Sequence, residues 1–538
     1  ASPPAPPAPG DRQAPGTGKS CTGGDAPRCA LALMLATLRL LQCASLAQRF
    51  RKSHISYEDA TWKRAFVAET ALLSLLRPAS AVLLACSPDA CGSGGGGSGG
   101  SGGGSGGVPT LDVKASRAAL RLAEEELCSW MEARGMRDML HGGRGDAWYL
   151  GTNFRVSAHP CSYHLPLHRG YARLLLESML LLPPDVHATT LLDQAAVPKG
   201  FSRAVLEHLI RVAALSAQVG AGVWVRNGNA MPSQDFNYSL ERFAHDGRDL
   251  DVLLMQFNTA TLPDPAALVP LLIERFELCE LFRDDASPRE PGPRDPTLPQ
   301  QMQVAEEMLR LLITLLTAND FTAPYTVAER TRHFLVHCLA TQARTHSQLL
   351  DWVRHAPLAP GAEPVTPRDI DEILHTIAQR SGAQGEYELC PEAWPEVDIH
   401  AICIRTRKEQ QAAEERLHAQ YKKTPDLFTA RRAGWGPART VPWLQPSGGV
   451  QMRRCFAKAM KAVGSSAPLF AAVRAMLKHA VRAFEAKAAG CTATFTPSAL
   501  ITRQCVHLII LAMAGSRNDP PCPVAGDVDM EEEQGGAC

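Results

Sequence analysis

The sequence predicts a mainly α protein: a multi-helix scaffold with an embedded winged-helix domain and disordered Pro/Gly-rich linkers. Three observations lead there. Only 6% of the residues are aromatic while glycine and proline are abundant, a composition that favours helices joined by Pro/Gly-rich connectors over a β-sandwich. Apolar residues recur at i, i+3, i+4 and i+7, as in Leu206, Leu209, Ile210, Ala213 and Ala217, the stripe of a buried helix. Two cap-plus-proline pairs, Asp264-Pro265 and Thr366-Pro367, mark helix starts: a side chain that accepts a backbone N–H, then a residue whose missing N–H is not needed in the first turn.

The elements follow in order. Residues 1–28 are Pro-, Gly- and Ala-rich and read as disordered. Residues 29–91 read as a helical module whose apolar groups include Leu31, Leu33, Leu35, Leu38, Leu41, Phe66, Val67 and Leu72. Residues 92–107 contain only Gly and Ser, a flexible coil that fits both a natural low-complexity insert and an inserted linker. Residues 108–320 resume the helical pattern as a scaffold. A charged amphipathic helix is expected over 115–133, ending near Gly135, and further helices over 170–182 and 203–219, the latter stopped by Gly220 and Gly222. From Asp264 a helix should run to about Phe282, burying Val269, Leu272, Ile273 and Phe276, with a kink at Pro270. Residues 284–299 are charged and Pro-rich, a loop, and 303–316 are strongly apolar and helical.

Residues 321–400 change character. Helices over 326–340, 345–352 and 367–380, then a short strand over 386–390, make three helices closed by a β-hairpin, the winged-helix pattern. Residues 401–423 form a charged helix with Arg405 and Glu409 at i, i+4 and sparse apolar positions Ala412, Ala413 and Leu417; such helices extend into solvent or bridge domains. Residues 424–448 read as linker. Residues 449–516 hold further helices, with Phe470, Val473, Met476 and Leu477 in one and Val506, Leu508, Ile509 and Leu511 in the last. Residues 517–538 form an acidic, disordered tail with its charge over 529–533.

Charge and cysteine usage narrow the function classes. The 538 residues carry 55 basic and 55 acidic side chains, which argues against bulk binding to nucleic acid or to an anionic membrane. The best apolar runs, 29–42 and 506–514, fall short of the ~20 residues of a membrane span. No signal peptide is visible, and sixteen cysteines without a C-x-x-C pair read as free thiols of a reducing compartment.

Candidate chemistry is sparse. Gly16, Thr17, Gly18, Lys19 and Ser20 resemble a phosphate-binding loop, but Gln13 stands where its first glycine is needed. His159, Cys161, His164 and His168 lie within ten residues and carry zinc-type donors, yet no second ligand pair has finger-like spacing, so they read as a packed, hydrogen-bonded cluster; Cys86 and Cys91 read likewise. No nucleophile frame such as G-x-S-x-G is present. No catalytic, cofactor-binding or metal-ligating residue is assigned. The third helix of the winged-helix pattern begins with Asp369, Asp371 and Glu372, where a DNA reader wants Lys or Arg, so protein contact is favoured there over nucleic acid. Arg354, Arg380 and Arg407 on one face, with high affinity for DNA, would reverse that reading.

Several stretches match one family in order and spacing: Ser162-Tyr163-His164-Leu165-Pro166-Leu167-His168-Arg169, Trp224-Val225-Arg226-Asn227-Gly228, Asp249-Leu250-Asp251-Val252-Leu253-Leu254-Met255-Gln256, Arg275-Phe276-Glu277-Leu278, Glu306-Glu307-Met308-Leu309, Gly385-Glu386-Tyr387-Glu388-Leu389, and the charged helix from Arg405. Together they resemble the middle of the UBR-box N-recognins, which are RING-type ubiquitin-protein ligases. The resemblance implies a parent protein in which a zinc-binding UBR box reads N-degron substrates and a zinc-binding RING holds the ubiquitin-conjugating enzyme. Neither zinc pattern is visible here, so the chain is expected to be a scaffold fragment with no cofactor of its own. The expected location is cytoplasmic, with the nucleus as a second compartment, and from charge and hydropathy neither nucleic acid nor membrane is expected as partner. A non-enzymatic helical adaptor and a winged-helix nucleic-acid binder stand as the alternatives.

Overall fold

The computed structural model describes residues 25–42, 61–85, 113–141, 154–182, 186–224, 229–239, 241–282, 296–354, 365–381, 385–427, 453–488 and 499–516. The expected disordered or linker segments over 92–107, 517–538, most of 1–28 and most of 424–448 lie outside these residues. So do the phosphate-loop look-alike, Cys86, Cys91 and residues 225–228.

Helices dominate. Along the chain they are α1 (Asp25–Leu41), α2 (Thr61–Ala85), α3 (Val113–Ala133), α4 (Arg137–His141), α5 (Pro166–Leu181), α6 (Phe201–Gly220), α7 (Ala230–Ser239), α8 (Glu241–Ala244), α9 (Arg248–Ala260), α10 (Leu268–Arg275) and α11 (Leu298–Thr317). Then come α12 (Val327–Thr341), α13 (His346–Arg354), α14 (Pro367–Ile377), the strands β1 (Ala378–Ser381) and β2 (Glu386–Leu389), α15 (Arg407–Lys423), α16 (Arg454–Gly464), α17 (Ala467–Ala488) and α18 (Ala499–Ser516). Among the described residues, no helix is long and apolar enough to cross a membrane.

Two apolar cores organise these elements. The larger begins at Leu31 and ends at Leu511. In it α5, α6, α9 and α11 form the centre; α1, α2 and α3 cover α5, while α16 packs on α9 and α18 on α11. The expected N-terminal and C-terminal helical stretches thus bury their apolar faces in the same core as the scaffold. The smaller core joins α12, α13, α14 and both strands to Ala401, Cys403, Ile404 and Ala413.

Several helix ends show why the sequence stops where it does. After α3 and α6 the chain turns through Gly135 (φ 78°) and Gly222 (φ 71°). Each closes the pair of bonds that satisfies orphan carbonyls: Gly222 N–H donates to Val219 O and Val223 N–H to Gln218 O, both at 3.0 Å. The same pattern ends α10 with Glu277 (φ 60°) in place of glycine; Leu278 N–H donates to Ile273 O at 3.0 Å. The helix expected to reach Phe282 therefore stops at Arg275. The Glu277 carboxylate holds the left-handed turn in place by accepting from Ser157 N (2.8 Å) and Ser157 Oγ (2.7 Å). Pro270, expected past the first turn of a helix from Asp264, falls nearer the start of its helix. Asp264 caps a 3-10 turn, Pro265–Ala267, and Pro270 falls in the first turn of α10, where its missing N–H has no intrahelical partner to lose.

In the second region the third helix ends at Ile377 rather than Arg380, because 378–381 pair antiparallel with 386–389. Arg344 extends this ladder, exchanging backbone bonds with Tyr387 at 3.2 and 2.8 Å. The charged helix begins at Arg407, not Arg405, behind a Thr406–Glu409 capping box. It packs against α12 rather than standing in solvent, and Arg416 donates to Leu339 O at 2.9 Å. Four apolar positions expected inside helices are exposed: Leu33, Val67, Phe470 and Val506.

Candidate functional site

The family-like motifs meet in space as buried ion pairs. The α5 guanidinium of Arg169 is 1% exposed and grips Asp251 of α9 with Nε at 3.1 Å and Nη2 at 3.0 Å. Its Nη1 donates to Glu69 of α2, and its Nη2 also to Tyr163 O at 2.8 Å. Tyr238 OH donates to Asp251 at 2.8 Å. Burial disfavours the Arg169 charge, but two carboxylates outweigh it and hold the guanidinium above its usual range. Burial likewise penalises Glu69, yet Arg169 and His164 hold its carboxyl below the usual range. A charge buried this deeply persists only when paired and hydrogen-bonded, as here.

A second knot centres on Glu207 of α6. It accepts from Arg211 Nε at 2.8 Å and Arg203 Nη1 at 3.2 Å, one turn after and before it, and from Arg275 at the end of α10. Arg275 also reaches Glu274 at 2.8 Å. A third pair joins the two cores: Arg405, 3% exposed, donates to Asp249 at 2.7 Å. Around it Arg310 donates to Arg405 O at 2.9 Å, Arg248 to Ile402 O at 3.1 Å, and Arg407 meets Glu306 at 2.8 Å.

Beside this junction lies a cavity of about 410 Å³. Helices α6, α7, α9 and α11 and the Thr406 cap of α15 line it, with Asp235, Phe236, Arg248, Met255 and Arg310 among the lining residues.

The four residues with zinc-type donors do not converge on one point. His159 is bound to its own turn through Arg155 O at 3.0 Å. His164 faces Glu69 at 3.3 Å and His168 faces Gln42 at 3.2 Å. The Cys161 thiol is buried, which pushes it up to about 12. A packed, hydrogen-bonded set is what the structure contains. In the region with acidic residues, Asp369 closes the Thr366 capping box, Arg380 donates to Tyr387 OH at 3.2 Å and Arg407 meets Glu306.

Sequence reasoning quoted Arg169, Asp249, Asp251, Arg275, Glu306 and Arg405 without reading their pairing, and it missed Glu69, Glu207, Asp235 and Arg248. Only Glu207 left a local signal, since arginines stand four residues to either side of it.

Known proteins place these motifs. The UBR1/2/3-like ARM repeat domain matches residues 140–303. The E3 ubiquitin-protein ligase PRT6 of Arabidopsis thaliana is 29% identical over 282 residues, 49% of this chain and 13% of the relative. The E3 ubiquitin-protein ligase UBR2 of Mus musculus is 28% identical over 266 residues, 48% of this chain and 15% of the relative. The E3 ubiquitin-protein ligase ubr3 of Danio rerio is 25% identical over 439 residues, 79% of this chain and 21% of the relative. The chain thus spans 13–21% of the length of these three relatives. Residues 140–303 are thus similar to the UBR1/2/3-like ARM repeat domain, and about half of the chain is similar to N-recognin E3 ubiquitin ligases.

Proposed function

We propose that this chain is the scaffold segment of an N-recognin ubiquitin ligase. A RING-type ligase forms no covalent intermediate of its own; it accelerates transfer by holding a charged conjugate near a substrate lysine. What such a mechanism asks of the segment between substrate reader and conjugate holder is a fixed separation. The observation that carries this reading is the Arg405–Asp249 pair with its surrounding bonds, which locks the second core onto the first through buried charge rather than through an exposed linker. Residues 321–400 serve in it as a winged-helix module for protein contact. The acidic start of α14, with Asp369, Asp371 and Glu372, favours a protein surface over a phosphate backbone. The ubiquitin-conjugating enzyme, the N-degron substrates and the structural zinc belong to other parts of the parent protein, which works in the cytoplasm and nucleus.

Two measurements test this. The purified chain, given ubiquitin, activating enzyme, ATP and a panel of conjugating enzymes, should transfer no ubiquitin; robust transfer would overturn the scaffold reading. The coding sequence downstream of residue 538 should encode a Cys/His zinc-ligand array, whereas a stop codon there would favour the adaptor.

A further inference from the structure

Two of the charges that line the cavity at the junction are incompletely matched by the protein. Three of the arginines that line it are matched with carboxylates: Arg310 with Glu307 at 2.6 Å, Arg405 with Asp249 at 2.7 Å and Arg407 with Glu306 at 2.8 Å. Arg248 differs. It is 9% exposed. Its Nη1 donates to Ile402 O at 3.1 Å, and its nearest carboxylate, Asp249, lies 3.7 Å away and is already gripped by Arg405. Among the described residues no acceptor meets its Nε or Nη2. Burial draws its guanidinium down to about 10, and Arg310 adds repulsion, but the group keeps its charge at neutral pH.

Asp235, on α7, is the counterpart. Its Oδ1 accepts from Tyr163 OH at 3.0 Å and from Ser216 Oγ, while among the described residues no donor meets Oδ2 and no cation pairs with the carboxylate. Burial pushes it up to about 6, so most of it is ionised at pH 7. The idle donors of Arg248 and the idle oxygen of Asp235 belong to side chains that line the cavity, where a ligand of complementary charge can take the place of water. A plain anion would meet the repulsion of Asp235, and a plain cation that of Arg248. The remaining walls offer apolar surface from Pro232, Phe236 and Met255. The volume lies in the range of small-molecule sites.

We propose that this cavity binds a small zwitterion, a free amino acid with an apolar side chain, its carboxylate on Arg248 and its ammonium on Asp235. The site stands on the geometry alone and does not depend on the ligase reading.

Calorimetric titration of the unaltered chain tests it without any mutation. L-phenylalanine, L-methionine and L-valine are the probes. N-acetyl-L-phenylalanine removes the cation and keeps the carboxylate; L-phenylalaninamide does the reverse. At least one amino acid should bind saturably, and each blocked form of phenylalanine should bind at least about tenfold more weakly than phenylalanine itself, the loss of one charged contact. Arg248→Gln and Asp235→Asn should weaken binding by a similar factor while each variant keeps the circular-dichroism spectrum of the parent. No saturable binding by any of the three at concentrations up to about 10 mM, or equal binding of both blocked forms, would overturn the proposal whatever the variants do.

Discussion

The two cores of this molecule are held together differently. The platform built on α5, α6, α9 and α11 contains charges buried at its heart: Arg169, Asp251, Glu207 and Arg275 are each at most 1% exposed. The hairpin region buries Arg330, His337 and Arg344 beside its apolar cluster but, among its described residues from 321 to 400, no carboxylate; Glu329 and Asp369 stand at helix starts, where they close capping boxes. The difference teaches which kind of information each region carries. A capping box is local, three residues from cap to partner. A buried ion pair here spans 82 residues between Arg169 and Asp251 and 156 between Asp249 and Arg405.

Breaking one member of each kind sharpens the contrast. Asp251→Ala would leave the buried Arg169 with one carboxylate and Tyr238 OH without its acceptor. A loss of about 3–5 kcal/mol is expected from urea unfolding; a loss under about 1 kcal/mol would place the platform's stability in its apolar packing instead.

A smaller effect comes from pH. Burial, with Arg211 adding, holds His208 of α6 down to about 3. The unfolded chain takes up that proton near 6.5. Between those values the unfolded state binds more protons, so stability falls as pH falls through the window. His208→Leu should flatten this acid slope by up to about 1.4 kcal/mol per pH unit. His337 of α12 is held down to about 4, so the same substitution there should flatten a shorter window. Parallel curves for parent and variant would show that the folded imidazole accepts its proton freely.

The smallest effect belongs to the caps. Thr326→Ala removes the acceptor that Glu329 N–H meets at 3.2 Å and the cap of α12. A cost of about 1 kcal/mol is expected, read from the same unfolding curves; a cost rivalling that of Asp251→Ala would erase the distinction between the two regions.

The same contrast explains what the sequence made legible. Helix starts at Asp264 and Thr366, and stops at Gly135 and Gly222, are open to local reading, because each is settled by residues within a turn. The stop at Arg275 was hidden. It depends on Glu277 finding Ser157, which is 120 residues away. The charged run from Arg405 suits a helix that extends into solvent or bridges domains; the structure places Arg405 just ahead of that helix, with its partner Asp249 on α9. No feature of composition or spacing singled out Arg248 or Asp235. A cavity lined by five elements has no signature in any one of them.

The order of the elements bears on how the chain is made. Helix α9 is buried under α16, and Arg453 at the head of α16 donates to Met179 O and Leu182 O at the end of α5, at 3.0 and 2.9 Å. On a ribosome α9 emerges almost two hundred residues before α16, on the order of tens of seconds at typical synthesis rates. Phe257, which ends up beside Phe456, waits through that interval without its cover. The nascent chain therefore presents a sticky, half-built surface until α16 emerges to seal it.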